Sequence, residues 1–303
     1  MNAKILYDCH MHTNFSGDSE APMEEMVRTA RKKELAGITF TDHLDLDYRE
    51  NPGLFDLDLK SYTESVRAMQ TKYNDDGFHI YYGIELGLQP HLAERHARLL
   101  ARYPFDYVIG STHVVDGYDP YYPLYFEKFG VQEGLRRYYR MILENIRAFP
   151  LFDSLGHLDY ILRYLSPLPE ELTYKPDGSP YGNADFMAEI DAILLELISR
   201  GIALELNTGS YRKGRLDPNP ERMVLKRYYE LGGRKITLGA DAHTPEHIAL
   251  GFTEIPAGYP LNQKEHFSSA LSLLKETGFD SYLIFDGRRP RKIPLKKARS
   301  EGK

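Results

Sequence analysis

Along this chain, short runs of β-branched and aromatic residues alternate with longer stretches in which apolar positions recur at helical spacing. The short runs 5–8, 37–41, 79–83, 107–110, 152–155, 202–206, 235–238 and 282–285 read as strands. Helical patterns lie between them, near 22–36, 59–73, 91–102, 131–148, 185–199, 219–231 and 263–276. The first helix is well signposted. Pro22 suits an opening turn, Glu24 and Glu25 sit at the positive end of the helix dipole, and Gly37 follows the last turn. Strand–helix units repeated without a break in composition predict one α/β domain, a closed or nearly closed parallel barrel over residues 1–286. Two connections, 114–130 and 164–183, are long and rich in Pro and Tyr, and both follow a strand. Loops of this length serve either as a substrate lid or as tyrosine packing over the barrel mouth.

Composition narrows the setting. The 303 residues carry a net charge of −6, with 27% charged and 42% hydrophobic residues, enough for a large core. A single cysteine cannot form an internal disulfide, and no run approaches the roughly 18 apolar residues of a membrane helix, which excludes disulfide scaffolds and membrane spans. The N-terminus lacks the apolar stretch of a signal peptide, so a cytoplasmic location is expected. Residues 287–303 hold eight Lys/Arg and one acid, leaving the body at −13; the segment is expected to be a flexible, solvated basic tail. An acidic body argues against broad contact with nucleic-acid phosphates.

The chemistry lies in where histidines and carboxylates fall. His10 and His12 end the first strand, Asp42 and His43 the second, Glu85 the third, His113 the fourth, His157 the fifth, and Asp241 and His243 the seventh. In a parallel barrel all these exits open on one face, where barrel enzymes build their sites. The spacing of two in His10-x-His12 and Asp241-x-His243 turns both side chains of each pair to the same side, with Cys9 and Met11 on the other. A lone His-x-His pair is commonplace, whereas ligand types at six of seven strand exits form a pattern. Nitrogen and carboxylate donors without thiolate suit zinc, manganese or iron(II). His79, His91, His96, His247 and His266 fall elsewhere and are expected to be structural or exposed.

The run Tyr-Asp-Cys-His-Met-His-Thr-Asn-Phe-Ser-Gly-Asp (7–18), followed by Gly-Ile-Thr-Phe-Thr-Asp-His (37–43), resembles the polymerase and histidinol phosphatase (PHP) family. Gly-Ile-Glu-Leu-Gly (83–87), Gly-Ser-Thr-His (110–113), Gly-His-Leu-Asp (156–159) and Gly-Ala-Asp-Ala-His (239–243) match its later motifs in order. The likeness is to its stand-alone histidinol-phosphate phosphatase branch. It implies a single distorted (β/α)7 TIM-like barrel, with the eighth strand candidate outside the ring or misread, and a centre of three divalent metal ions. By that resemblance His10, His12, Glu85 and Asp241 hold one ion, Glu85 bridges to a second held by His113 and His157, and Asp18, His43 and His243 hold the third. Three divalent ions against three carboxylates leave +3, a charge suited to a phosphate dianion and a hydroxide.

The activity implied is hydrolysis of a small phosphate monoester, histidinol phosphate, to L-histidinol and inorganic phosphate, by in-line attack of a hydroxide bridging two metals. Arg163 and Arg212 are the candidate phosphate clamps, since a guanidinium matches phosphate oxygens in pairs; either could instead be a surface ion-pair residue. Asp42, Asp18, His43 and His243 are candidates for protonating the leaving oxygen. Asp116 and the tyrosine-rich loop are candidates for the imidazole and amine, with Asp116 equally readable as a turn residue. The alternatives are a PHP phosphoesterase for other small phosphates or nucleotides, and a nucleic-acid-associated exonuclease.

Overall fold

The computed structural model describes residues 4–295. Ten strands appear in chain order: β1 (Tyr7–Asp8), β2 (Gly37–Phe40), β3 (His43–Leu44), β4 (His79–Gly87), β5 (Tyr107–Ser111), β6 (Ser154–Leu155), β7 (Ala203–Asn207), β8 (Ile236–Gly239), β9 (Ser281–Asp286) and β10 (Arg289–Pro294). The helices are α1 (Met23–Lys32), α2 (Leu59–Tyr73), α3 (Ala93–Arg102), α4 (Pro123–Phe129), α5 (Val131–Ala148), α6 (Glu170–Thr173), α7 (Met187–Arg200), α8 (Arg222–Glu230) and α9 (Ala270–Thr277). Among the described residues none is long and apolar enough to cross a membrane.

The main sheet is parallel, in the order β1-β2-β4-β5-β6-β7-β8, with β3 pairing β4 beyond the end of β2. Its edges meet. Cys9 N donates to Leu238 O at 2.9 Å and His12 N to Ala242 O at 2.8 Å, so the ring of seven strands closes between β1 and β8. This is the distorted (β/α)7 barrel. Helices pack outside for the reason their sequences give. On α1 the residues Met23, Met26, Val27 and Ala30 are buried at helical spacing, Glu24 and Glu25 lie in the first turn, and Arg31 and Lys32 in the last.

β4 is the backbone of the site. Its first half pairs with β2, and its second half pairs with β3 and β5, with His43 directly opposite Glu85. β2 and β3 are thus one strand interrupted at Thr41 and Asp42. The interruption is what turns His43 towards Glu85.

The eighth strand candidate is real but lies outside the ring, as β9 in an antiparallel hairpin with β10. The tail expected to be frayed therefore begins as a paired strand. Gly287 N donates to Asp106 Oδ1 at 2.9 Å, and Arg288 pairs with the largely buried carboxylate of Asp153. Residues 296–303 of that segment lie outside the described residues. Two helical patterns also differ: 219–231 narrows to α8, and 263–276 divides into a short 3-10 turn and α9. The 114–130 connection contains α4, where Pro123 opens the helix.

Candidate metal centre

The strand exits converge as expected, and Glu85 stands at their centre. Its Oε2 lies 3.1 Å from His10 Nε2, 3.5 Å from His12 Nε2 and 3.1 Å from His43 Nδ1. Its Oε1 lies 2.9 Å from His157 Nε2 and 3.4 Å from His113 Nε2. One carboxylate thus faces two groups of imidazoles. Asp241 Oδ1 joins the first group, 3.2 Å from His12 Nε2 and 3.8 Å from His10 Nε2. Asp18 Oδ2 lies 3.0 Å from His243 Nε2 and 3.8 Å from His43 Nε2 at the rim. Three overlapping triads, His10–His12–Glu85, His43–Glu85–His113 and His12–His43–His243, have ligand atoms within 4.8 Å of one another.

Two carboxylates that the sequence reading passed over stand behind the rings. His10 Nδ1 donates to Glu205 Oε1 at 2.6 Å, and His113 Nδ1 to Asp45 Oδ1 at 2.6 Å. A carboxylate only accepts, so these rings carry a hydrogen on the outer nitrogen and turn Nε2 inwards, a support that sharpens ligand orientation and basicity. Both acids had a signal in the sequence. Glu205 is an acid within the otherwise apolar run Ile-Ala-Leu-Glu-Leu (202–206), and Asp45 lies two residues from His43 on the same strand path. Glycines make room for them: a Cβ on Gly87 would lie 1.9 Å from Asp45 Oδ1, and one on Gly239 would lie 2.3 Å from His10 Cβ and 2.5 Å from Glu205 Oε1.

Do these residues fit a cation? Carboxylate oxygens and inward-facing ring nitrogens meet in a closed space where only a proton or a metal ion can lie between acceptors. Without metal, protons fill that role. Burial opposes charge on His10, yet Glu205, Glu85 and Asp241 hold it well above the usual range. Burial likewise opposes charge on His43, and Glu85 with Asp18 raises it to about 9; Asp45 holds His113 up in the same way. Burial, with His43 and His243 beside it, pushes His12 down to about 3, so that ring is neutral. His43 Nδ1, Asp45 Oδ2 and His157 Nδ1 are buried without hydrogen-bond partners. A donor set of nitrogens and carboxylates with such a deficit of hydrogens fits divalent zinc, manganese or iron.

Above the cluster opens a cavity of about 620 Å³. Arg163 lines it, its guanidinium 4.8 Å from the Tyr160 ring centre and 4.9 Å from that of Tyr164. Arg212 lines it too, donating to the backbone oxygen of Asp241. That contact braces Asp241 in a left-handed conformation, φ 52°, which non-glycine residues seldom adopt. His247, expected to be exposed or structural, lines the cavity as well, together with Lys213.

Two expected site residues do not reach the cavity. Asp42 is fully buried and accepts from Thr13 N at 2.6 Å, Thr13 Oγ1 at 3.0 Å and Ser16 Oγ at 2.8 Å; burial raises it to about 6, but its oxygens face this turn and not the cavity. Asp116 has φ 52° in the turn closed by Val115 and Tyr118, and pairs with Arg137 at 2.8 Å outside the cavity. Asp119, three residues on, does line the cavity. Its buried carboxyl accepts from Tyr48 Oη and from Tyr121 N, both at 2.7 Å, and lines the cavity beside Tyr122, Tyr160 and Tyr164.

A closed parallel barrel with imidazoles and carboxylates caged at its mouth, beneath two guanidiniums, defines a barrel protein with a candidate metal centre under an arginine-lined cavity. The chain belongs to the PHP domain family, whose model matches residues 8–209. It is 34% identical over 248 residues to a probable histidinol-phosphatase of Clostridium acetobutylicum, covering 82% of this chain and 90% of the relative. It is 29% identical to the histidinol-phosphatase of Lactococcus lactis, covering 93% and 95% of the two chains. The crystal structure of histidinol phosphate phosphatase from Lactococcus lactis, complexed with zinc, L-histidinol and phosphate, superposes with a TM-score of 0.75 at 27% identity, covering 96% of this chain and all of that one.

Proposed function

We propose that this chain is a metal-dependent phosphomonoesterase that hydrolyses histidinol phosphate to L-histidinol and inorganic phosphate. The observation that carries the reading is Glu85, whose two oxygens face separate groups of imidazoles beneath a cavity that presents Arg163 and Arg212. It is supported by the Lactococcus protein, which binds zinc, L-histidinol and phosphate in a superposable barrel. His10, His12, Glu85 and Asp241 would hold one ion, Glu85, His113 and His157 a second, and Asp18, His43 and His243 a third. Divalent zinc, manganese or iron bound there lowers the pKa of water towards neutrality and neutralises phosphoryl charge.

The chain's own residues do the rest. Arg163 and Arg212 clamp the phosphoryl oxygens, and Arg163 is oriented for this by its two tyrosines and by donating to Tyr164 Oη at 2.8 Å. Asp18, His43 and His243 face the cavity and are placed both to ligate and to pass a proton to the leaving oxygen. Asp119 and the tyrosines around it form a carboxylate and π-face pocket suited to the amine and imidazole of histidinol. Water adds its oxygen to phosphorus, the ester P–O bond breaks, and the alcohol leaves protonated. Counting Asp45 and Glu205, five carboxylates touch the imidazoles, so three divalent ions leave a net +1, to which the two arginines add two. The pocket remains cationic. A single cysteine suits a reducing cytoplasm, where a biosynthetic phosphatase would work.

The test is phosphate release from histidinol phosphate, compared with nucleoside monophosphates and p-nitrophenyl phosphate, on protein of known elemental content. Histidinol phosphate is expected to give the highest kcat/KM, and His10→Ala with His12→Ala to abolish release with circular dichroism unchanged. Equal or lower efficiency on histidinol phosphate would overturn the substrate assignment.

A further inference from the structure

We propose that Asp42 and Ser16 form a positioning relay that fixes the His12 imidazole with its hydrogen on Nδ1, so that Nε2 is presented as a lone pair towards Glu85 and Asp241. The inference rests on the metal-site reading above and deepens it.

The argument is a count of hydrogens around one oxygen. A serine hydroxyl has one hydrogen to give and two lone pairs to receive with. Ser16 Oγ is nearly fully buried and has three neighbours: Asp42 Oδ1 at 2.8 Å, the His43 backbone N at 3.0 Å and His12 Nδ1 at 3.1 Å. The amide of His43 can only donate, so it occupies one lone pair. The carboxylate of Asp42 can only accept, so it takes the hydroxyl hydrogen. One lone pair is left for His12 Nδ1, which must carry a hydrogen. The opposite tautomer would set two lone pairs against each other in a site from which water is excluded.

Asp42 is itself anchored by Thr13 N and Thr13 Oγ1, and Ser16 N donates to Thr13 O at 2.9 Å, so the relay is built into one tight turn after the first strand exit. His10 and His113 lean on carboxylates directly, whereas His12 reaches its carboxylate through a hydroxyl. The interposed serine adds something that a direct carboxylate would not. Its second lone pair holds the backbone of His43, so one side chain sets both an imidazole of the first triad and the strand that carries another.

Zinc affinity, measured by competition with a chromophoric chelator, reads this directly. Ser16→Ala and Asp42→Asn are each expected to weaken zinc binding about 10- to 100-fold. The double variant is expected to lose no more than the larger single loss, because both cut one chain. In long-range 1H–15N spectra of the zinc-loaded protein, the His12 Nδ1–H should be protected from exchange and lose that protection in Ser16→Ala, while the His10 Nδ1–H, held by Glu205, keeps it. General damage to the fold would move both signals. Wild-type zinc affinity in Ser16→Ala, multiplying losses in the double variant, or an unchanged His12 signal would each overturn the relay. If Asp42→Asn does not fold, Ser16→Ala decides the matter alone. Failure of the metal reading looks different, since His12→Ala would then bind zinc as the wild type does.

Discussion

At the level of single residues, function here depends on which nitrogen of a ring carries the hydrogen. Glu205 occupies the outer nitrogen of His10 and also accepts from the His157 backbone N at 2.9 Å, so one carboxylate holds a side chain at one strand exit and the backbone at another. Glu205→Gln keeps the volume but replaces one of two accepting oxygens by a donor, so it no longer accepts from both His10 and His157 N. It is expected to lower zinc affinity about 10- to 100-fold, read by chelator competition, with the fold intact by circular dichroism. Arg212 lines the cavity and is proposed as a phosphate clamp. Arg212→Ala is expected to lower kcat/KM about 10- to 100-fold through a charged hydrogen bond lost to phosphate, with the metal content unchanged by elemental analysis. A matching loss of metal would show that Arg212 acts through its contact with Asp241 and not through phosphate. Asp42 and Asp45 flank the same histidine, and in the sequence only the spacing of two sets Asp45 apart. The structure buries one under a turn and opens the other to the cavity.

At the level of elements, the site depends on how closely neighbouring strands pass. β8 ends in Gly239 because His10 on the β1 exit and Glu205 on β7 occupy the volume a side chain would need. Gly239→Ala is expected to cost about 1–3 kcal/mol by overpacking and to displace the His10–Glu205 pair. A thermal melt should show a Tm lower by several degrees, and elemental analysis a reduced metal content; a lowered Tm with full metal content would show that the strands separate without disturbing the ligands. Strand positions were legible because short β-branched and aromatic runs, buried here on both faces, are local features. The pairing of β9 with β10 was not, since a strand made of Arg, Pro and Lys reads as solvated chain until a partner edge is seen. The 114–130 connection left a lid and tyrosine packing equally open in the sequence, and which of its carboxylates lines the cavity was not legible, because the turn at Asp116 sets that Asp119 faces inwards.

For the whole molecule, the cluster couples metal, protons and stability. In the metal-free protein His43 titrates at about 9, against 6.5 unfolded: burial opposes its charge and the carboxylates of Glu85 and Asp18 more than restore it. A raised pKa contributes stability that is fully present below pH 6.5 and lost as pH rises through about 9. The metal-free protein is therefore expected to lose thermal stability between pH 6.5 and 9, and zinc loading to release protons from His10, His43 and His113, so that affinity falls as pH drops. Melts across this range and proton release followed with an indicator dye check both; zinc binding without proton release would contradict the protonated resting state. By itself the sequence determined the rhythm of strands and helices, and with it the gathering of eight ligand-type side chains at one mouth, because in a parallel barrel every strand exit faces the same way. Only the tertiary structure decided which carboxylates stand behind which imidazoles, that Asp119 and not Asp116 enters the cavity, and that Asp42 lies beneath the site. Hydrogen-bond direction is fixed by contacts such as His10 with Glu205, 195 residues apart, and no local pattern encodes those.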